Sequence, residues 1–145
     1  MTAAIIELND YEIRIARDST ILARNPTGAI INGNTIEVGE PAIAQALLNP
    51  REFHNRYWYQ LDQAPLRRAT RAARHHADLA FRHLEQLHRD ADKPDTVVFA
   101  VPGGFSKSQL ALLLGIAEAC HMRPIALVDA AVASAAAHVG PGRYQ

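Results

Sequence analysis

Thr96-Val97-Val98-Phe99-Ala100-Val101-Pro102-Gly103-Gly104-Phe105-Ser106-Lys107-Ser108-Gln109 is the stretch on which the reading of the fold turns. Thr96 to Val101 is a continuous apolar run, with Pro94 before it and Pro102-Gly103-Gly104 after it. A strand buried on both faces reads this way, because it has no solvent side on which to place alternating polar residues. The Pro-Gly-Gly turn stops the strand. Ser106 and Gln109 then have the spacing of a capping box, so a helix starts here and runs to about Cys120. The glycine pair is explained by a sharp strand-to-helix turn. The Gly-x-x-x-x-Gly-Lys-Ser/Thr pattern of a phosphate loop is missing, and Lys107 lies inside the helix start. Ser106 and Ser108 lack the Gly-x-Ser-x-Gly elbow of a nucleophile.

Downstream, Pro124 to Val128 predicts a second buried strand. Asp129 then caps an Ala-rich helix to His138, closed by Gly140-Pro141-Gly142. Upstream, the first forty residues read as β structure. Ile5 and Leu8, then Ile13 and Ile15, sit in runs broken by Asn9-Asp10, and Asp18-Ser19 turns into a third strand from Thr20 to Arg24. Ala29 to Ile31 and Thr35 to Val38 flank Asn32-Gly33-Asn34, a hairpin signal. Glu40 to Leu48 reads as a short helix, with Pro41 in its first turn and Asn49-Pro50 at its end. Leu66 to about Arg89 reads as one long helix, because Leu66, Ala69, Ala73, Ala77, Ala80, Leu84 and Leu87 fall on one stripe. The whole predicts an α/β fold. Its centre is a mixed five-stranded sheet, an antiparallel meander plus two parallel strands, with helices packed on it and a small β-hairpin extension.

Composition narrows the function. The 145 residues are 48% hydrophobic and 21% charged, which excludes wholesale disorder. Lys plus Arg and Asp plus Glu are 15 each, so a generally basic nucleic-acid binder is not expected. Arg67, Arg68, Arg71 and Arg74 make a local basic patch, but Asp78, Glu85 and Asp90 follow it. Cys120 is the single cysteine, which excludes an internal disulfide and any multi-cysteine zinc site. It reads as a small packed residue. His75, His76, His83 and His88 miss the i, i+4 spacing of helical metal ligands and read as a solvated or partly packed set. The longest apolar stretch, Leu110 to Ala117, is far below the roughly 20 residues of a membrane span. No basic-then-apolar leader is evident, and a cytoplasmic chain without membrane or nucleic-acid partners is the expectation.

The element order and three local sequences resemble the ribonuclease-H-like half-domain of the actin, sugar-kinase and heat-shock 70 chaperone superfamily. Thr96 to Gln109 is similar to the chaperones' strand ending in Val-Pro, followed after two residues by Phe and a Ser-Gln helix start. Ile125-Ala126-Leu127-Val128-Asp129-Ala130-Ala131-Val132-Ala133-Ser134-Ala135-Ala136 resembles their next strand, its terminal acidic residue and an Ala-rich helix. Val38-Gly39-Glu40-Pro41-Ala42, then Gln45 and Asn49-Pro50, resembles their Val-Gly-x-x-Ala stretch. The resemblance covers most of the chain. It implies that residues 1–145 form the N-terminal half of a nucleotide-binding ATPase domain, whose C-terminal half would supply a second phosphate hairpin and the adenosine pocket. ATP and magnesium would belong to such a longer protein, with neither expected on this chain alone.

Asp129 matches the acidic position that in the family helps to place magnesium-bound or attacking water, and its plain alternative is a helix cap. Glu7, Asn9, Asp10 and Tyr11 fall where the family has its first phosphate hairpin, Asp-x-Gly-Thr or close to it. Glu7 keeps the carboxylate one methylene longer, and Asn9 stands in the glycine position. Asp10 and Glu12 bring negative charge to where phosphate would lie. Arg56 aligns loosely with a catalytic lysine of the chaperones, and an ordinary surface arginine is its alternative. Two readings therefore stand: the first half of an actin-like or heat-shock-70-like ATPase, or a degenerate relative that keeps the fold as a binding or assembly module. A ribonuclease-H-like nuclease would need clustered carboxylates, for which Glu7, Asp10 and Asp129 are the available set. A homodimer is also expected, through the Ala-rich helix or through Phe53–Tyr59.

Overall fold

The computed structural model describes residues 3–66 and 69–130. β1 (Ala4–Glu7), β2 (Glu12–Arg17) and β3 (Thr20–Pro26) run as an antiparallel meander, as the turn residues predict. β4 (Ala29–Asn32) and β5 (Thr35–Val38) form the expected hairpin, with Gly33 at φ 61° in its turn, a backbone state that costs glycine nothing. A two-residue strand, β6 (Phe53–His54), adds to β4, so the hairpin extension is a separate three-stranded sheet. Between β5 and β6 lie α1 (Glu40–Gln45), shorter than its apolar pattern predicts, and a 3-10 turn at Pro50–Glu52.

α2 (His76–Asp90) leads to β7 (Thr96–Val101), and α3 (Lys107–Ala119) to β8 (Arg123–Asp129). β7 pairs in parallel with both β1 and β8, so the main sheet reads β3-β2-β1-β7-β8. This is the mixed five-stranded sheet that the sequence predicts. The Ser106–Gln109 capping box is formed in both directions, at 2.9 and 3.1 Å. The Ala-rich helix expected after Asp129 lies outside the described residues, and so does the dimer contact assigned to it.

Alternate residues of the strands point to one buried layer. Ala4, Ile6, Leu8, Ile13, Ile15, Val97 and Phe99 meet Leu84 and Leu87 of α2 and Leu113 and Ala117 of α3 in the core. No helix of the described residues is long and apolar enough to cross a membrane.

Three expectations need correction. The long helix does not begin at Leu66. Its described part begins at His76, because the Asp78 carboxylate accepts the Arg74 and His75 N–H groups at 2.8 and 3.4 Å and caps the helix there. Upstream, the Leu66 N–H donates to the Arg74 carbonyl and the Thr70 hydroxyl takes the Ala73 N–H, bonds that do not belong to a helix ladder. Leu66 and Ala73 are buried, at a spacing that imitates a helix, whereas Ala69 between them is exposed. Second, β8 is not a strand buried on both faces. Among the described residues it is the edge of the sheet, paired only with β7, and Ile125 is 58% exposed.

The third correction concerns the histidines. His83 and His88 are buried outright. His88 Nε2 lies 2.7 Å from the Pro94 carbonyl. His83 Nδ1 accepts the Trp58 indole N–H at 3.1 Å, with the Tyr57 hydroxyl 2.9 Å away. An indole nitrogen only donates, so Nδ1 carries no proton and the ring is neutral. Burial pushes the His83 pKa down to about 3, against a smaller opposing effect of the Pro26 carbonyl. Tyr57 and Trp58 are therefore core residues, and of the aromatic segment proposed for dimer contact it is Tyr59 that remains well exposed.

Candidate functional site

Parallel pairing decides where the chemistry-bearing residues go. Glu7 lies opposite Ala100, and Asp129 opposite Val101, so both close their strands on the same edge of the sheet. That edge is where α/β sheets place ligands. β7 runs between them, so their backbones stand roughly 10 Å apart, two strand spacings. Their side chains do not converge. Glu7 Oε2 accepts from Arg14 Nη2 and Nε at 2.8 and 3.1 Å. Asp129 is packed against the turn after β7, where an ideal β-carbon on Gly103 would lie 2.6 Å from its Oδ2.

The hairpin from β1 to β2 is organised by Asn9. Its Oδ1 accepts the backbone N–H groups of both Tyr11 and Glu12, each at 2.8 Å. A short amide side chain folded back on its own turn does this with little entropy lost. The hairpin is tied down from outside as well. The Thr27 hydroxyl donates to the Asn9 carbonyl at 2.8 Å, and the Thr27 N–H to the Tyr11 carbonyl at 2.9 Å. Tyr11 itself projects outward and is 83% exposed.

Asp10 is held by a residue far away in sequence: its Oδ1 accepts the Tyr59 N–H at 3.0 Å. Burial raises the Asp10 pKa, and the Tyr59 N–H and the Arg56 charge partly offset this. Arg56 sits 5.6 Å over the Tyr59 ring, a cation–π contact. Gln109, already a partner in the α3 cap, donates its Nε2 to the Tyr59 carbonyl at 3.0 Å. Tyr59 thus joins the hairpin to the start of α3. Next to the hairpin lies a concavity of about 600 Å³ whose walls include Asp10, Glu12 and Glu40. Arg24 also lines it, but is paired to Glu12 at 3.1 Å.

The structure thus brings Glu7, Asn9, Asp10, Tyr11 and Asp129 to one end of the sheet, with Arg56 nearby. Thr27, Tyr59 and Gln109, which position the hairpin, carry no signal in sequence spacing, because their contacts span 18, 49 and 50 residues. Among the described residues, no group of three or more His, Cys, Asp or Glu is arranged to hold a metal ion. Cys120 ends α3 as a buried thiol whose pKa burial pushes up to about 12, consistent with packing rather than nucleophilic use. No protein-family model matches the chain, and no curated protein matches it either.

Proposed function

We propose that this chain is the first lobe of an actin-like or heat-shock-70-like fold, kept as a binding or assembly module and not as a triphosphate hydrolase. The sheet order, a meander followed by two parallel strands, supports the fold half of this reading. One observation carries the functional half: Asn9 Oδ1 already occupies the two hairpin N–H groups that a phosphate oxygen would need. The residues present do not fit a phosphate there. The carboxylates of Asp10, Glu12 and Glu40 along the adjoining concavity make it worse, by like-charge repulsion. Glu7 is paired with Arg14, so it is not set out for a magnesium-bound water.

Titration with a fluorescent ATP analogue and magnesium tests the proposal. The expected result is no saturable anisotropy change for the chain. Saturable binding in the micromolar range that tightens in Asp10→Asn, which removes a like charge beside the hairpin, overturns it. The second reading, a catalytic ATPase lobe, draws on Glu7 and Asp129 sharing one strand-end edge. It requires that magnesium-ATP bind here once the second lobe is supplied.

A further inference from the structure

A cavity of about 770 Å³ opens between the 3-10 turn, β6 and the start of α2. Three of the side chains around it are basic, Arg51, His54 and His76, and no carboxylate of the described residues lines it. The rest of the wall is apolar, with Phe53, Pro65 and Leu66. His76 is held in place from behind, its Nδ1 3.0 Å from Asp62 Oδ1. A carboxylate only accepts, so Nδ1 carries the proton. Among the described residues, His54 Nε2 has no hydrogen-bond partner. Burial first, and the neighbouring His76 second, make His54 harder to protonate, while Glu52 works the other way.

A guanidinium and two imidazoles around one concavity repel each other when charged, and an anion between them removes that cost. Arginine offers a planar fork of donors and His54 one N–H; His76, whose Nδ1–H goes to Asp62, donates to an anion from Nε2 in its imidazolium form. Donors arriving from three separate residues suit a tetrahedral oxyanion better than a planar carboxylate. The apolar wall gives a carbon body something to lie against.

We propose that this cavity binds a small organic phosphomonoester, its phosphate held by Arg51, His54 and His76 and its carbon body against Phe53, Pro65 and Leu66. The site shares no residue with the strand-end carboxylates, so it stands or falls separately from the reading of the hairpin. Phenyl phosphate is the probe, added to the full chain at constant ionic strength while the imidazole C–H resonances are followed by NMR. His54 and His76 should shift together and saturably, with His121 unmoved. Arg51→Gln should weaken binding by about tenfold or more, the loss of a charge-assisted pair. Arg51 is exposed, so this variant keeps the fold, as an unchanged thermal midpoint will verify. Inorganic phosphate should bind several-fold more weakly than the ester, because it has no carbon body. The proposal is overturned by absence of a saturable shift, by affinity unchanged in Arg51→Gln, or by equal affinity for inorganic phosphate. Shifts produced by zinc ion and not by phenyl phosphate also overturn it, since they reassign the imidazoles to a metal.

Discussion

The Asp129 carboxylate occupies the space that a β-carbon on Gly103 would fill, its Oδ2 being 2.6 Å from the ideal position of that carbon. The turn after β7 and the end of β8 are therefore matched to each other, side chain against missing side chain. Gly103→Ala should fit only when the Asp129 carboxylate swings aside, at a cost of about 0.5–1.5 kcal/mol for a displaced rotamer. In an Asp129→Ala background the same substitution should cost almost nothing. A double-mutant cycle by urea unfolding reads this coupling, and additivity of the two changes would refute the contact.

Asn9 should stabilise the hairpin through its acceptor oxygen. Asn9→Ala leaves the Tyr11 and Glu12 N–H groups to water, for a loss of about 1–2 kcal/mol from two modest hydrogen bonds. Asn9→Asp keeps an acceptor at the same place and should stay close to wild type. Equal losses in the two variants would mean that the oxygen is not what holds the turn.

Stability should fall on acidification, and His83 sets part of the slope. Its pKa is about 3 in the folded chain against an ordinary 6.5, so the unfolded chain binds more protons throughout that window. Stability is full above pH 6.5 and drops by about 1.4 kcal/mol per pH unit below it, until the folded ring protonates. His54, also held below its ordinary value, adds with the same sign, and Asp10, whose carboxyl is pushed up by burial, opposes it. Unfolding measured from pH 7 to pH 4 should show a slope that is shallower by about that amount in His83→Gln. An unchanged slope in the variant would place the acid sensitivity elsewhere.

The Glu7–Arg14 pair should contribute little. Its side chains are 23% and 38% exposed, and exposed pairs are worth about 0–1 kcal/mol. Glu7→Gln is expected to lower stability by less than about 1 kcal/mol and to lose even that in high salt. A larger, salt-insensitive loss would show that Glu7 is more tightly coupled to the sheet than its ion pair indicates.

The strands of the main sheet and the β4–β5 hairpin were legible in the sequence because their signals are local, whereas β6 was not. A run such as Thr96–Val101 ends in Pro-Gly-Gly, Asn32-Gly33 marks a hairpin, and Ser106 with Gln109 marks a helix start, each within a few residues. The shared edge of Glu7 and Asp129 followed as well, since parallel neighbours end on the same side. Other features belong to the tertiary structure alone. Whether β8 is buried depends on its place at the sheet margin, which its composition does not record. Leu66 and Ala73 would be buried from a helix or from a loop, so periodicity could not tell that Asp78 starts the helix later. The state of His83 was decided by Tyr57 and Trp58, and the seat of Asp10 by Tyr59, across separations of 26, 25 and 49 residues. Hydrogen bonds of that reach are made only after the chain has collapsed, because the geometry that permits them is set by the packing of α2 and of residues 57–60 against the sheet and not by any neighbour along the chain.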